Sequence, residues 1–191
     1  MSLIDRIARS LVADPPRDLL PGDLLEDQEG EPMLAAVLVA ITDRPEPGLI
    51  LTVRREHMRK HAGQVAFPGG RIDEGETPIR AALREAHEEL SLDPALVQIL
   101  GEADQYRTVT GYGVTPVVGV IPPDLPLIPN PEEVADWFEA PLDFVLDPAN
   151  QRRMSAEFQG RTRHYYQVDW EGRRIWGATA AMLVNLTRRI S

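Results

Sequence analysis

The chain has 191 residues, of which 43% are hydrophobic and 26% are charged, which is the composition of an ordinary globular protein rather than of a disordered or membrane protein. Twenty basic and thirty acidic residues give a formal net charge of −10, which would repel a nucleic-acid backbone, so nucleic-acid binding is not expected. The absence of cysteine excludes disulfides and thiolate metal sites and agrees with a cytoplasmic location, and the length predicts a single domain over residues 1–191.

The first predicted element is a short N-terminal helix, followed by a lead-in that extends to residue 32. Four apolar residues share one face of this helix: Leu3, Ile4, Ile7 and Leu11. Asp5 lies among them, whereas the apolar core of a signal peptide is unbroken. Residues 14–32 are rich in proline, glycine and acids and predict a loop or extended segment. The apolar run over 33–41 is about half of what would span a bilayer, so it predicts a buried strand over about 33–42 and no membrane association.

The rest of the chain alternates strand and helix patterns. A second strand is predicted from Gly48, and further strands are predicted within 98–121. Residues 134–146 mix helix and strand signals, a hairpin is predicted around Glu171-Gly172, and a final helix follows from residue 177. This alternation predicts an α/β or α+β layer sandwich in which helices cover a mixed sheet.

Residues 70–92 place several acidic side chains on one predicted helix. Thr77 followed by Pro78 is typical of a helix start, because the hydroxyl caps the helix and proline needs no hydrogen-bond acceptor there. Five apolar residues then recur at the spacing of one buried face: Ile79, Ala82, Leu83, Ala86 and Leu90. At about 100° per residue, three carboxylates share the flank of that face: Glu85, Glu88 and Glu89. Like charges at this spacing, near the C-terminal end of a helix, destabilise it unless something offsets their repulsion.

Two interpretations of these carboxylates are open. One is a solvated acidic face, partly neutralised by Arg84, since most charge runs are simply surface. The other is a set of oxygen ligands for a hard divalent cation, Mg²⁺ or Mn²⁺, which prefers carboxylates and keeps waters that a phosphate substrate can displace. A cation would remove the repulsion and would let a protein of charge −10 accept a polyanionic substrate, so the second interpretation explains more.

The same segment resembles the signature of the Nudix hydrolases. After Gly70 come five residues, then Glu76, then seven residues, then Arg84-Glu85-Ala86-His87-Glu88-Glu89-Leu90-Ser91-Leu92. The signature fixes several residue types over 23 positions, which makes a chance match improbable. Ser91 stands where glycine is usual. That position ends the helix, often in a left-handed turn, so the departure concerns the backbone and leaves the carboxylates unchanged.

The resemblance implies an α/β/α sandwich with a mixed sheet and a loop-helix-loop metal site, and it implies hydrolysis of a nucleoside diphosphate linked to another group. It assigns roles to five residues: Glu85 and Glu89 as primary Mg²⁺ or Mn²⁺ ligands, Glu88 beside them, Glu76 assisting through water or metal, and Arg84 orienting the carboxylates. A homodimer is compatible with the family. The general base is expected among the signature glutamates. Glu132 and Glu133 are candidates from outside the signature, although their segment favours an exposed turn.

The segment before the signature resembles the extended motif of the coenzyme A pyrophosphatase branch. The matching residues are Leu51-Thr52, Arg54, Arg59, His61, Gly63-Gln64-Val65 and Phe67-Pro68-Gly69-Gly70, whereas Arg55 and Met58 depart from the motif. This resemblance implies cleavage of coenzyme A or its thioesters to adenosine 3′,5′-bisphosphate and 4′-phosphopantetheine or its acyl form.

Several of these residues are also candidates for binding that substrate. Four form the densest basic cluster in the chain and are expected to contact the 3′-phosphate of coenzyme A, unless they are a solvated loop: Arg54, Arg55, Arg59 and Lys60. Gln64 is expected to bind substrate as well, and Gly69 and Gly70 allow the backbone to approach a phosphate closely.

Alternatives remain for the substrate and for several side chains. Another nucleotide, such as ADP-ribose or a dinucleoside polyphosphate, could be the substrate, or the chain could be a nucleotide-binding sensor without hydrolysis, although the intact carboxylates argue against a sensor. His57 and His61 have the spacing of a zinc pair but no obvious third ligand, and His87 is expected to be packed or hydrogen-bonded. Four aromatic residues could stack on adenine, but their hairpin pattern favours the core: Tyr165, Tyr166, Trp170 and Trp176.

Overall fold

The computed structural model describes residues 1–23, 30–55, 63–158 and 161–191. The helices are α1 (Leu3–Val12), α2 (Pro78–Leu90), α3 (Leu142–Leu146) and α4 (Ala178–Ile190), and a 3-10 turn covers Pro94–Leu96. The strands are β1 (Met33–Thr42), β2 (Gly48–Arg54), β3 (Val65–Ala66), β4 (Gly69–Arg71), β5 (Gln98–Glu102), β6 (Tyr106–Arg107), β7 (Tyr112–Ile121), β8 (Val134–Pro141), β9 (Arg152–Phe158), β10 (Arg161–Trp170) and β11 (Arg173–Trp176).

A mixed sheet forms the centre of the fold. Its strand order is β3-β2-β1-β7-β5, and β4, β6 and β8 pair with β1, β7 and β2, respectively. Strands β1 and β7 run parallel, whereas β2 runs antiparallel to both β1 and β8. A second, antiparallel sheet has the order β9-β10-β11. The mixed sheet agrees with the sequence prediction.

Both faces of the central sheet are buried under helices. On β1, Ala36, Leu38 and Ala40 pack in one cluster with the apolar face of α2. The alternate residues Ala35 and Val39 belong to the opposite cluster, which contains core residues from α1, α3 and α4. Side chains of a strand point alternately to the two faces of its sheet, so β1 supplies both cores. The fold is therefore the predicted α/β/α sandwich.

Most predicted elements are confirmed, and one hairpin was missed. The turn Glu171-Gly172 joins β10 to β11 with positive φ at both residues, 45° and 74°, as a tight hairpin turn requires. The sequence analysis did not predict β9, which pairs with β10. Its side chains over residues 152–157 are exposed, so β9 lacks the buried alternation that identifies a strand. Within the described ranges, no helix has the length and apolar character needed to cross a membrane.

Candidate active site

Helix α2 begins and ends where the sequence predicts. The Thr77 hydroxyl accepts a hydrogen bond from the Arg80 N–H at 3.3 Å, and Ala86 and Leu90 are fully buried. Ser91 takes the left-handed conformation, with φ 56° and ψ 26°, and its N–H donates to the His87 carbonyl. Serine therefore keeps the turn that glycine usually makes. His87 is exposed and its Nδ1 lies 3.2 Å from the Leu92 carbonyl oxygen, so it is hydrogen-bonded rather than packed.

Glu89 is a buried carboxyl group at the C-terminal end of α2. Its side chain is only 3% exposed, the Gly69 N–H donates to Oε2 at 3.2 Å, and Arg54 Nη1 lies 3.9 Å from Oε1. Burial raises the pKa of Glu89 to about 8, because desolvation penalises the ionised form more than these two partners favour it. Burial also raises the pKa of Glu85, although Arg84 opposes that shift. An added positive charge would therefore stabilise the ionised forms of both carboxyl groups.

Arg84 holds the other carboxylates of the signature in place. Its Nε and Nη2 donate to the two Glu76 oxygens at 3.1 and 3.0 Å, a bidentate contact. Its Nη1 donates to Glu85 at 2.8 Å and to Glu88 at 3.3 Å. Hydrogen bonding by Arg84 lowers the pKa of Glu76. The predicted orienting role of Arg84 thus has a matching set of contacts, and Nη2 also fixes the guanidinium to the Arg71 carbonyl at 2.9 Å.

Two glycines of β4 allow the strand to lie against these carboxylates. A Cβ at Gly70 would lie 2.4 Å from Glu85 Oε1, which would push that carboxylate away. A Cβ at Gly69 would lie 2.4 Å from the Ala36 carbonyl oxygen, a backbone atom that cannot move aside easily. The Gly69-Gly70 pair therefore serves two needs, close strand packing at Gly69 and room for the Glu85 carboxylate at Gly70.

A cavity of about 670 Å³ opens in front of Glu85 and Glu89. Six of the residues predicted for the site line it: Arg54, Gln64, Gly69, Gly70, Glu85 and Glu89. Four others do not line it: Arg55, Glu76, Arg84 and Glu88. Glu76 and Arg84 act instead as a support behind Glu85, and Glu88 is 50% exposed. Four further residues lie outside the described residues: His57, Arg59, Lys60 and His61.

Glu133 also lines this cavity, which corrects the expectation of an exposed turn at that residue. The Asn130 N–H donates to the Glu89 carbonyl at 2.8 Å and ties the segment to the end of α2, and the Arg55 N–H donates to the Glu133 carbonyl at 3.3 Å. Glu133 is half-buried beside Glu85 and Glu89, whose pKa values it helps to raise. Glu132 is exposed and does not line the cavity, so the expectation holds for that residue.

The sequence analysis missed the wall of the cavity that faces α2. The residues added by the structure are Asp23, Arg71, Thr108, Val109, Thr110, Tyr112, Trp176 and Met182, among others. Trp176 had been assigned to the core with the other hairpin aromatics, and that assignment is wrong for Trp176. Trp170 does pack in the core, with its ring centroid 4.9 Å from that of Phe144. No local pattern distinguishes these two tryptophans, because only strand pairing decides which one reaches the cavity.

The donor set of this cavity suits a hard divalent cation, although the carboxylates are not gathered around one point. Across residues 1–23, 30–55, 63–158 and 161–191, no group of three or more His, Asp or Glu side chains is arranged to hold a metal as it stands. Arg84 draws Glu85 and Glu88 to itself, while Glu89 faces Gly69. The available donors are nonetheless carboxylate oxygens, and the raised pKa values of Glu85 and Glu89 mark a place where a cation would relieve an electrostatic cost. A solvated acidic face is excluded for Glu85 and Glu89, which are 15% and 3% exposed.

These features define an α/β/α sandwich with a loop-helix-loop carboxylate site at the edge of a mixed sheet. The model of the NUDIX domain family matches residues 32–170, and the chain belongs to the Nudix hydrolase family. The uncharacterized Nudix hydrolase NudL of Escherichia coli O7:K1 is 45% identical over 157 residues, which cover 82% of each chain. The protein of the same description from Escherichia fergusonii has the same identity and coverage.

Solved structures share the fold. The Nudix hydrolase RenU of M. smegmatis superposes with a TM-score of 0.54 at 25% identity, covering 65% of this chain and 81% of that one. The Ap4A hydrolase of C. elegans superposes with a TM-score of 0.50 at 20% identity, covering 57% of this chain and 80% of that one. At that identity the second likeness shows the fold alone.

Proposed function

We propose that this Nudix hydrolase cleaves the diphosphate of coenzyme A or its thioesters, with Mg²⁺ or Mn²⁺ bound, to adenosine 3′,5′-bisphosphate and 4′-phosphopantetheine or its acyl form. The observation that carries the proposal is the composition of the 670 Å³ cavity. Glu85, Glu89 and Glu133 line it together with Arg54 and Gln64, which flank the basic segment of the coenzyme A-type motif. A diphosphate with an additional phosphate nearby matches that pairing of acidic and basic groups.

The acidic wall supplies the ligands for the cation. Glu85 and Glu89 would hold it, with Glu88 brought in from its exposed position, and Arg84 fixes the Glu85 and Glu88 oxygens from behind. When bound, a divalent cation neutralises phosphate oxygens and lowers the pKa of a water molecule. Glu76 stays ionised because Arg84 binds it through two hydrogen bonds, so it keeps Arg84 oriented toward Glu85.

Glu133 is the residue best placed to accept the proton of the attacking water. It lines the cavity beside Glu85 and Glu89 without being bound by Arg84, and its backbone is held by Arg55 and Asn130. In the hydrolysis, the water oxygen bonds to one phosphorus, the bridging oxygen leaves with the other phosphate, and one proton of the water passes to the base. A half-buried carboxylate on a fixed backbone suits that step.

The basic wall would recognise the rest of the substrate. Arg54 ends β2 at the cavity, and its N–H donates to the Gln64 carbonyl at 2.9 Å, which holds β2 and the Gln64 segment together. Arg59 and Lys60 lie between these two residues in the sequence. We therefore assign the 3′-phosphate of coenzyme A to the segment that Arg54 and Gln64 bracket.

Matched carboxylate variants test the catalytic part of the proposal. Glu85→Gln, Glu89→Gln and Glu133→Gln are each expected to lower kcat for coenzyme A by roughly a hundredfold or more, whereas Glu132→Gln, on the exposed neighbour of Glu133, is expected to keep full activity. Retention of turnover and Mg²⁺ binding after both Glu85 and Glu89 are replaced would refute the proposal.

A separate pair of substrates tests the coenzyme A assignment. Replacing Arg59 and Lys60 with alanine is expected to abolish the preference for coenzyme A over dephospho-coenzyme A, which lacks the 3′-phosphate, while leaving the hydrolysis of dephospho-coenzyme A intact. If the unaltered protein hydrolyses ADP-ribose and both coenzymes equally well, the metal-site assignment stands and the coenzyme A assignment fails. Tight nucleotide binding without any product would instead favour the sensor.

A further inference from the structure

A second cavity, of about 330 Å³, lies between the second sheet and helix α4. It is adjacent to the catalytic cavity, because Asp23 and Gly177 line both. Its wall comes from β9 and β10 on one side and from Ala181 and Arg188 of α4, one helical face, on the other. Nothing in the proposed hydrolysis uses this space.

The strand side of this second cavity carries basic and phenolic groups. His164 and Tyr166 alternate on one face of β10, and Arg153 of β9 is paired directly with Tyr166, so the three residues belong to the same sheet face. Arg153 makes no ion pair with any residue that the structure describes. In a chain of formal charge −10, Arg153, His164 and Arg188 give this cavity a locally basic lining.

Arg188 is held in position at the opposite wall. Its Nη2 donates to the Tyr166 hydroxyl oxygen at 3.3 Å, and its Nη1 donates to the Asp18 carbonyl. The Asp18 carboxylate lies 3.6 Å from its Nε and is largely exposed, so this partner neutralises the guanidinium only weakly. Tyr166 accepts from Arg188, so its own O–H is available to donate to another acceptor. Arg188 and Tyr166 are thus preorganised as donors beside Arg153.

The wall also contains an acidic residue, Asp23, and several tyrosines. Asp23 accepts a hydrogen bond from the Val109 N–H at 2.6 Å, and burial raises its pKa by penalising the ionised form. Three tyrosines also line this cavity: Tyr106, Tyr165 and Tyr166. Donors for an oxyanion and ring surfaces for a planar group are therefore combined in one small cavity.

We propose that this second cavity binds a phosphate monoester attached to an aromatic or ribosyl body, the chemical class of a nucleoside monophosphate. Arg153 and Arg188 contact the phosphate, Tyr166 donates its hydroxyl hydrogen to it, and the tyrosine rings pack against the body of the ligand. The ligand is either a separate nucleotide or the phosphate-bearing end of a substrate that extends past Asp23 and Gly177, and the second outcome would replace the assignment of that phosphate to the segment between Arg54 and Gln64.

Calorimetric titration of the full chain in a metal chelator tests the site, with AMP as the probe and adenosine as the control without phosphate. In a chelator the catalytic cavity holds no cation to offset Glu85 and Glu133, which disfavours phosphate there despite Arg54, and the arginine variants below report which cavity AMP occupies. We expect AMP to bind more tightly than adenosine and to weaken as salt is added.

Adjacent arginines on β9 provide a matched pair of variants. Arg153→Ala is expected to weaken AMP binding by roughly tenfold or more, the effect of losing a charged hydrogen bond. Arg152→Ala is expected to leave it unchanged, because Arg152 does not line the cavity and pairs with Asp169 instead. Both residues are exposed, so both variants should fold, and Tyr166→Phe, which keeps the ring, should also weaken binding.

The titrations and the kinetics of the same variants separate the outcomes. Equal AMP affinity in Arg153→Ala and Arg152→Ala, or equal affinity for AMP and adenosine, would overturn the proposal. If Arg153→Ala weakens AMP binding and raises KM for the hydrolysed nucleotide, the ligand is the end of the substrate. If it weakens AMP binding while kcat and KM stay unchanged, the ligand is a separate nucleotide. The titrations do not depend on the proposed hydrolysis, so its failure would be seen separately.

Discussion

Replacing Glu89 by glutamine is expected to stabilise the metal-free protein while removing activity. The Glu89 side chain is 3% exposed and burial raises its pKa from 4.5 to about 8, so near neutral pH this carboxyl is largely protonated in the folded protein and ionised in the unfolded chain. Folding must then take up a proton, which costs about 3 kcal/mol at pH 7 from the difference of pKa values. Glutamine has nearly the same shape and does not incur this cost.

The sign of the pH dependence follows from the raised pKa. A carboxyl group whose pKa is higher in the folded state contributes fully to stability below about pH 4.5, and that contribution is lost as the pH rises to about 8. The free energy of unfolding of the wild-type protein should therefore fall across this window relative to Glu89→Gln, until the two differ by roughly 5 kcal/mol above pH 8.

Urea denaturation in a chelator at several pH values between 5 and 8.5 measures this difference. Glu88→Gln serves as the control, because Glu88 is 50% exposed and should show no comparable divergence. Parallel curves for the wild type and Glu89→Gln would refute the assignment of a desolvated, high-pKa carboxyl group at this position. Added Mg²⁺ should stabilise the wild type more than Glu89→Gln, which lacks one of the two proposed primary ligands.

Four other substitutions probe the supports of the site. Gly70→Ala should reduce turnover by roughly a hundredfold at a nearly unchanged Tm, because the added methyl group displaces the Glu85 carboxylate. Gly69→Ala should instead lower the Tm, because its methyl group clashes with backbone. A lower Tm for Gly70→Ala than for Gly69→Ala in thermal unfolding would contradict this interpretation. Ser91→Gly should raise the free energy of unfolding by about 1 kcal/mol, measured by urea denaturation, because serine is held at φ 56°; no gain would show that this residue is unstrained. Arg84→Lys should lower kcat roughly tenfold with little change in KM, because lysine cannot contact two carboxylates in the geometry of the guanidinium. Unaltered steady-state kinetics would contradict the orienting role of Arg84.

The sequence predicted the local parts of the site because their signals are local. Thr77 and Pro78 mark the start of α2, and the spacing of the apolar residues places the carboxylates on one flank of the helix. The pattern did not show that Glu89 is almost completely buried while Glu88 is half exposed. That difference depends on β1 and β4 packing against α2, which the periodicity of one helix does not contain.

Long-range contacts account for the residues that the sequence analysis missed. Glu133 enters the cavity because the Asn130 N–H bonds to the Glu89 carbonyl, a contact between distant parts of the chain. Trp176 reaches the cavity because β11 pairs with β10, and Asp23 does so through its bond to the Val109 N–H. Each contact is favourable only once the sheet has formed, and no local sequence pattern indicates it.

The most direct test of the central claim is the identification of products after incubation with coenzyme A and Mg²⁺ or Mn²⁺, by mass-resolved chromatography, with dephospho-coenzyme A and ADP-ribose in parallel reactions. We expect adenosine 3′,5′-bisphosphate and 4′-phosphopantetheine, formed from coenzyme A with a higher kcat/KM than the corresponding products of the other two substrates. Preferred cleavage of ADP-ribose, or an intact coenzyme A in the presence of either metal, would contradict it.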